Sequence, residues 1–99
     1  MSDLSDRIER EARLIILREL VEQMDGRLNS ISLAAPLDNY GIRRDRDWIA
    51  TQLRKLEALG AVELMAAGTV LVAHITEAGR NHVAERGVIE GVMRPSDFG

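Results

Sequence analysis

The sequence predicts a mainly helical α+β domain. Apolar residues recur at helical spacing as far as Leu59, the period shortens to that of strands between Val62 and Ile75, and a helical pattern returns after Thr76. At 99 residues the chain is sized for one hydrophobic core. Its apolar content of 45% and charged content of 29% are those of an ordinary globular fold. Aromatic residues are limited to Tyr40, Trp48 and Phe98, so the core must be aliphatic.

The first helix is predicted over residues 5–24. Ser2 and Ser5 are candidate N-caps, Asp3, Asp6 and Glu9 favour the positive end of the helix dipole, and Gly26 supplies the stop. Ile8, Ala12, Ile15 and Ile16 form one apolar stripe, and Leu17, Leu20, Val21 and Met24 form another. A helix apolar on two sides must be covered on two sides. In so short a chain the second cover is expected from another copy, which predicts a homodimer through this helix.

A second helix is predicted over residues 30–40, capped by Asn29 or Ser30 and ending at Gly41, with Leu33, Leu37 and Tyr40 at helical spacing. Pro36 lacks a backbone donor, so this helix is expected to be short and distorted. The third helix, residues 44–59, has a core stripe of Ile49, Leu53 and Leu56 and stops at Gly60. Its opposite face carries Arg44, Asp47, Thr51 and Arg54, with Arg43 and Lys55 on the flanks.

Strands follow over residues 62–66 and 69–75, joined at Ala67-Gly68 into a two-stranded hairpin. Both hairpin faces read as apolar, one for the core and the other either for a partner or left as an exposed patch. Thr76 caps a short helix over residues 77–86, closed by Gly87, and residues 88–99 read as an extended tail with a mobile end. Two short helices joined by a tight turn make a helix-turn-helix, and a hairpin directly after the second makes a wing. The expected fold is therefore a winged helix-turn-helix.

The residues carry a family likeness. Leu56, Glu57, Gly60 and Val62, followed by Ile75, Thr76, Gly79 and Arg80, resemble two patterns of the MarR, PadR and ArsR types of bacterial winged-helix regulator. The span from Ala12 to Pro95 is also similar to small winged-helix proteins of Mu-like phages and prophages. The matching features are Asn29 and Ser30, Gly41 with Arg43-Arg44-Asp45, and the tail Gly91-Val92-Met93-Arg94-Pro95. The resemblance implies a DNA-binding transcriptional regulator whose third helix enters the major groove. Two features depart from it. Arg43 or Arg44 stands where a Ser or Thr cap is expected, and Ala61 to Ile75 holds no Arg or Lys.

The expected DNA-binding residues are Arg43, Arg44, Arg46, Asp47, Thr51, Arg54 and Lys55. Arginine suits bidentate contact with guanine edges and phosphates, and a recognition helix presents its N-terminal residues to the groove. The same cluster is also what a solvated helix face would look like, since Asp45 and Asp47 offset part of it and the formal net charge of the chain is −3. The alternative expectation is a phage protein-interaction or assembly module that keeps the fold without touching DNA. No cysteine is present, so disulfides and thiolate chemistry are excluded. His74 and His82 match no ligand spacing, no nucleophile sits in a recognisable constellation, and no cofactor, metal or enzymatic activity is expected. No apolar run reaches membrane-spanning length and Met1 to Glu11 does not resemble a signal peptide, so the expected location is the bacterial cytoplasm.

Overall fold

A computed structural model describes residues 3–98. The elements run α1 (Asp3–Glu22), β1 (Arg27–Asn29), a 3-10 turn (Ile31–Leu33), α2 (Ala34–Asn39), α3 (Arg46–Ala58), β2 (Val62–Ala67), β3 (Val70–Ile75), α4 (Glu77–Val83) and a second 3-10 turn (Pro95–Asp97). The architecture is α+β and mainly helical. The radius of gyration, 12.3 Å, matches the ~13 Å of a compact chain of this length.

The α1 helix is the central post. Ala12, Leu14, Ile15, Ile16, Leu17 and Leu20 are all buried, because α2, α3, α4 and β3 pack around it. The dimer expected through this helix loses its basis here. Leu17 and Leu20 are covered by the chain itself, while Val21 and Met24 are exposed. Met24 lies beyond the helix, which ends at Glu22. Gly26 then turns the chain with a φ of +69°. Ser5 lies inside the helix, and the Ser2 cap falls outside the described residues.

The sheet corrects the expected two-stranded hairpin. It has three antiparallel strands in the order β1-β3-β2. Arg27, Leu28 and Asn29 pair with His74, Ala73 and Val72, and Ser30 extends the contact by donating its N–H to Leu71 O at 2.7 Å. The hairpin turn lies at Gly68-Thr69, flanked by the pair Ala67–Val70. Gly68 has a φ of +63° and Thr69 has none of this kind, the type II′ pattern that demands glycine at the first turn position. Leu28, Leu64, Leu71, Ala73 and Ile75 face the core. The outer face is mixed, with Arg27, His74 and Glu63 in one cross-strand row and Asn29, Val72 and Met65 in the next.

The segment expected as one helix over 30–40 is split. Asn29 Oδ1 accepts from Ser32 N at 2.9 Å, opening the 3-10 turn. The α-helix proper begins at Ala34, so Pro36 stands in its first turn, where its missing N–H would have no helical partner anyway. The α3 helix is capped by Asp45, whose Oδ1 accepts from Trp48 N at 2.8 Å. An arginine cap is thus corrected to an ordinary aspartate cap one residue later. The α4 helix ends at Val83. Glu85, with a φ of +60°, reverses the chain before Gly87 is reached.

The C-terminal segment is packed along α1, unlike a free tail. Met93 N donates to Arg10 O at 3.1 Å, and Arg13 Nη1 donates to Gly91 O at 2.7 Å. Val92 and Met93 are buried. Phe98 meets Tyr40 at a centroid distance of 5.4 Å and lies under the Arg18 guanidinium at 5.2 Å. His82 fastens the base of this segment. Its Nδ1 accepts from Ile89 N at 3.0 Å and its Nε2 donates to Met93 O at 2.9 Å. This pairing requires a neutral ring carrying its proton on Nε2.

Candidate nucleic-acid interface

The expected binding residues separate into three groups according to what holds them. Arg44, Arg46 and Arg54 are exposed and, among the described residues, form no ion pair. Arg44 lies over the Trp48 ring at 5.4 Å and reaches Arg43 O at 3.4 Å. Trp48 is thereby a half-buried platform at the edge of the core. Arg46 and Arg54 flank a groove between α3 and the hairpin tip, of about 370 Å³, which Ser30, Asp47, Ala50, Ala66 and Gly68 help to line.

Arg43 forms the second group. It projects to solvent but is ion-paired with Asp38 of α2 across the inter-helix turn. That pair spans a hollow of about 680 Å³ whose other walls include Ala34, Ile42, Arg44 and Ile49. An exposed pair of this kind contributes little to stability, and it lowers the net charge that Arg43 presents.

Lys55, on the flank of that face, forms the third group. Lys55 Nζ binds Glu9 Oε1 of α1 at 2.9 Å. Successive helical residues point ~100° apart, which turns Lys55 toward α1 while Arg54 faces the hairpin. Glu9 also accepts from Gln52 Nε2 at 3.2 Å and from Arg13 Nη2 at 3.2 Å. Arg13 Nε in turn donates to Gln52 Oε1 at 2.9 Å. The hydrogen bond from Lys55, then that from Gln52, hold the Glu9 carboxyl below its ordinary pKa of 4.5, against a smaller opposing effect of burial. This network bolts α3 to α1.

Asp47 and Thr51 are exposed on α3, pointing away from Ile49, Leu53 and Leu56. Thr51 Oγ1 donates back to Asp47 O at 2.9 Å. The Asp47 carboxylate accepts no hydrogen bond among the described residues, and the capping role belongs to Asp45.

Sequence reasoning missed Ser30, Ala50 and the Gly68 turn as groove walls. Ala50 was legible from its position one turn before Arg54. Ser30 was not, since it reaches the groove only through its pairing with β3. Among the described residues no group of His, Asp and Glu is arranged to hold a metal ion, and no helix is long and apolar enough to cross a membrane. No protein-family model matches the chain, and no curated protein matches it.

Proposed function

We propose that this chain is a winged helix-turn-helix module that binds double-stranded DNA through α3, as a bacterial or phage regulator of transcription would. One observation carries the reading. In a chain of formal net charge −3, three exposed cations that form no ion pair among the described residues stand along α3, Arg44 and Arg46 at its start and Arg54 two turns further on, beside grooves open to solvent. The element order supports the fold assignment. A short strand between α1 and α2 joins the hairpin, and α2 and α3 are linked by residues 40–45, which turn at Gly41 with a φ of +79°.

The binding is weak and strongly limited by charge. Neutralising about three phosphates gives a salt slope of roughly −2.7, or ~40-fold loss of affinity from 50 to 200 mM salt. Fluorescence anisotropy with labelled duplex DNA across a salt series tests this. Arg46→Ala and Arg54→Ala should each reduce the slope by about 1. Lys55→Ala should leave it unchanged, because Lys55 is engaged with Glu9. Absence of salt-dependent binding by the wild type sinks the reading. A homodimer through α1 is not part of the proposal, since the residues that motivated it are covered within the chain. The rival protein-interaction module has one observation in its favour, the exposed Met65 beside half-buried Val72 on the outer sheet face. It predicts that same absence of DNA binding.

A further inference from the structure

We infer that Asp47 and Thr51 form a base-reading pair selecting cytosine next to thymine, and that Asp47 works as much by rejection as by attraction. This rests on the DNA-binding reading of α3.

An exposed carboxylate in the middle of a surface meant for phosphates is costly unless it has a partner of its own. Beyond its place at the positive end of the α3 dipole, the Asp47 carboxylate has no hydrogen-bond or ion-pair partner among the described residues, whereas its neighbour Asp45 serves as the helix cap. A carboxylate accepts and cannot donate, so it has nothing to offer a phosphate, guanine O6 and N7, or thymine O4. The exposed amino group of cytosine, N4, is the base edge it fits best in the major groove.

Thr51 stands one turn further along the same face. Its hydroxyl proton is committed to Asp47 O at 2.9 Å. With that proton engaged, the exposed side chain offers a methyl group in place of a donor, and a methyl matches the C5-methyl of thymine. That same hydrogen bond fixes the Thr51 rotamer, so the methyl direction is set before binding. Residues one helical turn apart are separated by ~6 Å along the axis, within reach of neighbouring base pairs spaced ~3.4 Å apart. Arg46 and Arg54, on either side, supply the attraction that holds the helix in the groove.

Selection from a pool of duplexes with a randomised centre, using the full chain, tests this. The wild type should enrich a cytosine column adjacent to a thymine column. Asp47→Asn should move the first column from cytosine to adenine, because an amide pairs bidentately with adenine N6 and N7. Asp47→Ala should erase the column and raise affinity for unselected duplex, as removal of a repulsive charge requires. Deoxyuridine in place of thymidine should weaken wild-type binding by about fivefold or more, and Thr51→Ser should abolish that difference. Asp47 caps nothing, so these variants keep their fold. Salt-dependent binding with no cytosine column, or a column indifferent to Asp47→Asn, overturns this inference and leaves the DNA-binding reading standing. A pool that the wild type fails to bind overturns both.

Discussion

Replacing His82 by Leu tests whether the C-terminal segment is part of the folded core. His82 is 1% exposed, and leucine has nearly its volume, so no cavity opens. What disappears is the pair of hydrogen bonds from Ile89 N at 3.0 Å and to Met93 O at 2.9 Å. Stranding a buried donor or acceptor costs about 1–3 kcal/mol each. Ile89 N is only part-buried and water can reach it, so the expected loss is about 2–4 kcal/mol. For a domain of this size that lowers Tm by roughly 10–25 °C. Urea unfolding followed by circular dichroism measures the loss, and amide exchange at Met93 locates it. The Met93 amide is bonded to Arg10 O, so exchange should accelerate more than at core positions such as Leu53. His82→Gln, which keeps one donor and one acceptor, should recover part of the stability. If His82→Leu unfolds at the wild-type midpoint with Met93 still protected, the segment is not held through this ring.

Other outcomes follow from single contacts. Gly79→Ala should destabilise by about 1–3 kcal/mol in thermal unfolding, although alanine is the better helix former. Its Cβ would lie 2.5 Å from Ala61 O and 2.7 Å from Ile75 Cγ1. Gly87→Ala, whose Cβ meets only Asn81 Cβ at 3.5 Å, should be neutral or slightly stabilising. For Glu9 the sign of the pH effect is set by its lowered pKa. The ionised carboxylate stabilises the fold at pH above its unfolded value, and that stability is lost as pH falls through the folded one. The stability gap between wild type and Glu9→Gln should therefore be full at neutral pH and shrink as pH falls from about 4.5. A gap that widens on acidification would contradict the Glu9–Lys55–Gln52 assignment.

Local chemistry explains what could be read from the sequence. The third helix was legible because Ile49, Leu53 and Leu56 make a stripe against charged neighbours. The hairpin was legible from its β-branched residues and Gly68, and α4 from Thr76, whose Oγ1 accepts from Gly79 N at 3.1 Å. The β1 strand was not legible. Arg-Leu-Asn has no strand propensity, and it pairs because the edge of β3 presents unpaired backbone groups there. The packed C-terminus was equally hidden. Two of its anchors, Arg10 and Arg13, lie far away in sequence, and all of them, the nearer His82 included, bind backbone atoms of the segment, which no side-chain pattern announces. At the candidate interface, a helical wheel separates Arg54 from Lys55. Only the three-dimensional structure reveals that Glu9 takes the lysine.

Most residues of the two sequence patterns, Leu56 to Val62 and Ile75 to Gly79, are occupied in holding the fold together. Leu56 and Val62 are core. Glu57 accepts from Leu64 N at 3.2 Å and braces the start of β2. Thr76 donates to Gly60 O at 2.7 Å while its N–H bonds to Ala61 O at 3.0 Å. Gly79 is small because Ala61 O lies where its side chain would be. The two sequence patterns are thus two halves of one clasp, closing the sheet onto α3 and α4. Such a clasp is needed by any chain with this topology, whatever it binds. On the proposed reading, Arg44, Arg46, Asp47, Thr51 and Arg54 make contacts that the clasp does not depend on. Their substitution should change DNA binding with stability nearly unaltered, whereas substitutions at Thr76 or Gly79 should do the reverse. Likeness at the clasp therefore speaks for fold, and the charge and hydrogen-bonding state of the exposed α3 face speaks for function.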